Sequence, residues 1–249
     1  EDFTTDRLVA MDILHQPERV IIEYNGMWLV SNFEKMQLPT GWGVEQQITC
    51  VDGSTFQMYM ANMKSIFMDM IKNTDMVIFN RCKKEDPLPT YRRGIKVANQ
   101  RAEVIFEDEE GELGDIFQDE MPFDMNAPVI EILPEDYGIW FVDAMDHPEN
   151  YEGKTVKFKA RVMKPRGMGS KFFVPGRTAM TCCADDTTFL GYVCKSAYAP
   201  KLTPGEWVEV TAKVGIEKRN EYQGEEGIVL DAEHVEQCDP LEDEMVYFN

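Results

Sequence analysis

Three cysteines and two adjacent acids fall within one stretch, Met180–Cys194, reading MTCCADDTTFLGYVC. Thiolates are soft ligands for Zn²⁺ or Cu(I), and a carboxylate can complete a tetrahedral shell. Cys182, Cys183, Cys194 and Asp185 are therefore the candidate metal ligands, with zinc as the cofactor they would imply. Strand alternation turns Cys182 and Cys183 to opposite faces, so a shared ion requires a bulge at this point. The spacing Cys-Cys-x10-Cys matches no recognised zinc pattern, and no histidine lies nearby. Two other readings stand beside metal binding: thiols packed as small apolar groups, and disulfide or redox chemistry. Asp185-Asp186 reads most simply as the turn between two strands. Arg177 either pairs with one of those acids across the hairpin or is solvated or structurally paired. His234 and Cys238 make a weak metal pair, while His15 and His147 sit where helices end.

The rest of the chain must position this motif. Its formal charge is −20, from 25 basic against 45 acidic residues. Such a surface repels phosphate backbones and anionic headgroups, so nucleic acid is not an expected partner. No apolar run approaches the roughly 18–20 residues that span a bilayer, so direct membrane insertion is not expected either. Six cysteines are too sparse for a disulfide scaffold. Hydrolase triads, phosphate-binding glycine loops and HExxH are missing from the sequence. Lys164, Arg166, Lys171 and Arg177 form a small basic patch that reads as surface loop.

Short β-rich runs dominate the pattern. Val20–Tyr24 and Met27–Phe33 flank Asn25-Gly26, a hairpin signal. Gln47–Cys50 and Phe56–Met60 read as strand, Asn62–Lys72 as an amphipathic helix, Met76–Cys82 and Ile95–Phe106 as strands. Glu107–Asp124 is acidic and Gly-dotted, the best linker candidate. Beyond it, Tyr137–His147 reads as a short helix or a mixture of strand and helix. Thr155–Val162, Phe172–Val174, Ala179–Cys183, Thr188–Cys194, Trp207–Val214 and Ile228–Val235 follow as strands. The motif also has an echo: ITCVDGSTFQMYM at Ile48–Met60 parallels it, as Gly26 parallels Gly153 and Asp75-Met76 parallels Glu206-Trp207. The expectation is a mainly β protein of two tandem OB-like Greek-key barrels with short helices, produced by duplication. Residues 1–125 would be the divergent copy, with the linker at 107–124, and 126–249 the copy carrying the CCADD motif.

GRTAMTCCADDTTFLGYVC, preceded by ENYEGKTVKFKARV and followed by GEWVEVTAKV, resembles the C-terminal domain of YcgQ-like proteins, bacterial proteins described as subunits of a two-component permease. Arg177, Cys182, Cys183, Ala184, Asp185 and Trp207 match that family's pattern; Asp186 completes the acidic pair. The resemblance covers roughly residues 128–238. It implies a permease-associated protein with a link to metal homeostasis and carries no biochemical activity; the expectation is a non-enzymatic binding or interaction module with a membrane permease partner, in an extracytoplasmic or cell-envelope setting with a cytoplasmic one left open. Family members carry transmembrane helices ahead of this domain, and this chain shows none, through trimming or as a variant without them. Two alternatives remain: a thiol-dependent redox protein using Cys182 and Cys183, or a structural domain whose acidic surface docks on a basic partner.

Overall fold

Thr4 opens the first helix by accepting the Arg7 N–H on its hydroxyl. Helix α1 then runs Thr5–His15, and Gln16 ends it in a left-handed conformation. The computed structural model describes residues 3–114, 121–181 and 187–247. Its contacts divide the chain into two units, Glu1–Leu88 with Ala98–Ile116, and Pro89–Val97 with Phe117–Asn249. The protein is mainly β, with a closed barrel in the second unit and a separate small sheet in the first.

In the first unit Asn25-Gly26 makes a turn, closed by Trp28 N–H to Asn25 O at 2.9 Å, but no hairpin forms around it. The flanking aromatic side chains collect on one another instead: Tyr24 packs against Phe3, Trp28 and Phe33. Val30–Glu34 is a short helix, α2. Strands β1 (Ile48–Asp52), β2 (Met76–Asn80) and β3 (Glu103–Phe106) form a parallel sheet in sequence order. Helices α3 (Phe56–Ile71) and α4 (Leu88–Ala98) lie between them in the chain. This corrects the expected first barrel, and the tandem duplication with it.

The reason is local. Asp52 accepts both the Ser54 N–H and its hydroxyl, turning the chain off β1. Phe56, Phe67, Met68 and Ile71 then fall on one buried face at helical spacing. Phe56–Met60 is therefore helix where strand was expected. Buried Leu88, Tyr91 and Ile95 repeat at three and four residues, so most of Ile95–Phe106 is also not strand. The proposed equivalents differ in backbone as well. Gly153 has φ 77°, whereas Gly26 does not enter the positive-φ region. Of the expected acidic linker, Glu107 bridges Glu112 around a turn capped by Asp108, and residues 115–120 lie outside the described residues.

The second unit contains β4 (Ile130–Glu131), α5 (Tyr137–Asp146), β5 (Thr155–Met163), β6 (Phe172–Met180), β7 (Thr187–Gly191), β8 (Val193–Lys195), β9 (Trp207–Lys218), β10 (Glu226–Gln237) and β11 (Met245–Val246). The barrel closes in the order β5–β6–β8–β10–β9 and back to β5. Only β8–β10 is parallel within it, and that is the OB-like connection. Val156, Phe158, Ala160 and Val162 on β5 and Val208, Val210, Ala212 and Val214 on β9 alternate inward. On β10, a bulge between Ala232 and His234 shifts the inward parity from Ile228 and Leu230 to Val235.

Strand β6 joins two runs that read as separate strands. Pro175-Gly176 sits where β6 leaves β8 and takes β7 as its partner, a bend that tolerates a residue without an N–H. The crossing there is close. A Cβ on Gly191 would meet Pro175 O at 2.6 Å and Val174 Cγ1 at 2.8 Å. Gly191→Ala should lower the stability of the second unit by about 1–3 kcal/mol in denaturant unfolding, the usual scale of overpacking. Gly169→Ala, whose Cβ would meet nothing closer than 3.4 Å, should stay near the parent value.

Candidate functional site

Met180 and Thr187 face each other at the end of the β6–β7 ladder. Cys182, Cys183, Asp185 and Asp186 fall between them in the chain and lie outside the described residues. Cys194 is described. It pairs with Phe173 on β6 and Leu230 on β10, fully buried in the barrel core. Phe173 precedes Met180 by seven residues, on the order of 20 Å of strand. Closeness in sequence is spent here as strand length, because β7 carries the chain back along β6 before β8 begins. Burial pushes the Cys194 thiol well above its ordinary range. Cys194 is therefore a core side chain. Among the described residues, no three His, Cys, Asp or Glu side chains are placed to hold a metal ion.

Among the described residues, the hydrogen-bond partners of the Arg177 side chain are main-chain carbonyls. Arg177 is 2% exposed, and its guanidinium donates to the carbonyls of Pro134, Asp243 and Met245, the last two at 3.0 Å. The ring of Tyr137 lies 5.6 Å from its centre. One cation thereby ties the segment before α5 and the strand β11 onto β6. Burial lowers its pKa, yet an arginine stays charged, so the carbonyl dipoles replace water around it. Trp207 is buried at the start of β9, where its carbonyl accepts the Cys238 N–H.

The sequence-level basic patch also comes apart. Lys164 donates to Ala199 O at 2.5 Å and to Leu202 O at 2.6 Å, closing the turn before β9. With Arg177 buried, only Arg166 and Lys171 remain exposed. Arg219 lies 4.4 Å over the Phe172 ring, fastening the β9–β10 loop to the start of β6. His234 is exposed beside Glu236 at 3.4 Å, and His147 caps α5 by donating its backbone N–H to Asp143 O.

Sequence reasoning missed one cluster within the second unit. Arg92 and Lys96 of α4 approach Asp146 of α5 at 3.1 Å and 3.5 Å. Asp143 accepts the Tyr151 hydroxyl at 2.6 Å. An open surface cleft is lined by Arg92, Arg93, Asp143, Asp146 and His147 among others. The helical pairs i, i+3 and i, i+4 were readable as Asp143/Asp146 and Arg92/Lys96, but nothing in either segment announces the other.

The OB-like barrel with its stoppering helix defines the fold class. The chain belongs to the DUF1980 C-terminal domain family, whose model matches residues 112–248. No curated protein matches the sequence. Similar solved structures include the mitochondrial single-stranded DNA binding protein Rim1 from S. cerevisiae, at 10% identity and a TM-score of 0.22 over 35% of this chain and 97% of that one. Aspartyl tRNA synthetase from Entamoeba histolytica matches at 14% identity and a TM-score of 0.24, over 47% of this chain and 27% of the synthetase.

The placement of Cys194 has a direct readout. Cys194→Ser should leave the number of thiols titrated by a disulfide reagent unchanged in native buffer and lower it by one in denaturant. The buried hydroxyl should cost about 1–3 kcal/mol of stability. A lower native count would place the thiol at the surface.

Proposed function

We propose that this chain is a non-enzymatic binding module of a YcgQ-like, permease-associated protein of the cell envelope, and that Cys182, Cys183 and Asp185 bind a metal ion, zinc first. The observation that carries this reading is the β6–β7 ladder. It holds Thr178–Met180 against Thr187–Phe189, and its base at Gly176 and Gly191 is locked against the barrel. The chain bearing two thiols and two acids in sequence leaves and re-enters this ladder at Met180 and Thr187. The barrel interior supports an external site, because Tyr137, Trp140, Phe158, Tyr192 and Cys194 fill it. With Cys194 excluded, two thiolates and one carboxylate supply three donors, leaving a position for water or for a partner's side chain. The resemblance across residues 128–238 supports the permease partner and the envelope setting. The acidic surface is consistent with both.

Zinc titration of the full chain beside a Cys182→Ser/Cys183→Ser variant tests the site. About one equivalent should bind the parent and be lost in the variant, while Cys194→Ser retains it. A variant that still binds zinc, or a parent that binds none, refutes the site.

A further inference from the structure

Helix α1 packs through one narrow side and leaves most of its surface open. Thr5 donates its hydroxyl to Gln37 O at 2.8 Å, Leu8 is buried, and Asp12 accepts the Trp42 indole N–H at 2.9 Å. These three positions, spaced i, i+3 and i+7, share one side of the helix. Ile13 and Leu14 project away from it and are 73% and 75% exposed. After Gln16 ends the helix, the chain runs back until the Tyr24 ring meets Phe3, with centroids 5.9 Å apart. That return leg exposes Val20 and, at 92%, Ile21. In all, nine large apolar side chains are exposed between Val9 and Leu29. A helix apolar on both sides is ordinarily covered on both, and apolar side chains this dense on a surface mark a contact site.

Charge decides what covers it. Residues 1–45 hold eight acidic side chains against three basic ones. Arg19 is paired with Glu45 at 3.3 Å, while Asp6, Glu18 and Glu23 interleave with the apolar positions. The chain as a whole carries −20. A second copy would bring like charge to like charge, and so would an anionic bilayer. A cationic partner is instead steered toward this surface.

We propose that this surface docks a basic amphipathic helix of a partner protein. The apolar stripe of that helix lies against Ile13, Leu14 and Ile21, and its Lys or Arg residues face Asp6, Glu18 and Glu23. Helix α1 has 11 residues, so the matching contact spans about three turns, with apolar anchors at i, i+3 or i+4, and i+7. The surface belongs to the first unit, and the proposal does not depend on the metal site.

Calorimetric titration of the full chain with two synthetic helical peptides of about four turns tests this. Both carry leucines along one face; one has lysines at its polar positions and the other glutamates. The lysine peptide should bind one-to-one, more weakly as salt rises, and the glutamate peptide should not bind. Ile13→Gln with Leu14→Gln, at side chains already in water, should keep the parent circular dichroism and weaken the lysine peptide by at least about tenfold. Val129→Gln, at an exposed apolar position of the second unit, should leave that affinity unchanged. Equal binding of the two peptides, an affinity indifferent to the double substitution, an equal loss in Val129→Gln, or capture of the parent by phosphatidylcholine vesicles in preference to the peptide would each overturn the proposal.

Discussion

A five-stranded barrel has open ends, and its inward apolar side chains stay dry only if those ends are closed. Helix α5 closes one with aromatic side chains. Trp140 sits 4.8 Å from the Phe158 ring and edge-on to Tyr192, and Phe141 stacks on Tyr192 at 4.8 Å. The two phenols use their hydroxyls on backbone carbonyls, Tyr137 on Leu190 at 2.9 Å and Tyr192 on Phe141 at 2.5 Å. Each ring thus contributes apolar area, on the order of 1.5–3 kcal/mol, without leaving its hydroxyl unpaired. The same bonds fix the direction in which β7 turns into β8. The remainder of the second unit is arranged around this contact.

Arg177 extends that arrangement outward. A buried guanidinium needs partners for its donors, and the nearest available are main-chain carbonyls from two separated segments. Its burial therefore enforces the positions of Pro134, next to α5, and of Asp243 and Met245 near the end of the chain. Strand β6 carries Arg177 and, three residues later, Met180 at the end of the ladder. The helix, the C-terminal strand and the support of the cysteine-bearing segment consequently share one strand.

The first unit follows a different logic. Its parallel strands cannot be joined by tight turns and require crossover segments. Phe56 packs on Phe67 and Phe79, and Phe79 stacks on Phe106, so one face of the sheet is closed by aromatic packing. On the other face Met76, Ile78 and Ile105 are half-buried, and among the described residues no strand pairs with the outer edge of β1.

Local pattern was sufficient wherever one face of an element meets one core. The alternation in β5, β9 and β10, the stop at Pro148 and the aromatic run of α5 were legible for that reason, as was an OB-like barrel. The echo of the motif at Ile48–Met60 misled because a strand followed by a turn has the same local composition whether the chain then doubles back or enters a helix. Asp52 and the spacing of Phe56, Phe67 and Ile71 decided that, through contacts with β2 and β3 that no short window contains. Cys194 and Arg177 were legible as residues but not as environments. Whether a thiol near a motif is a ligand or a core atom, and whether an arginine meets carboxylates or carbonyls, depends on which distant segments arrive beside it. Those arrivals are set by barrel closure, a property of all five strands at once, so only the tertiary structure could assign them.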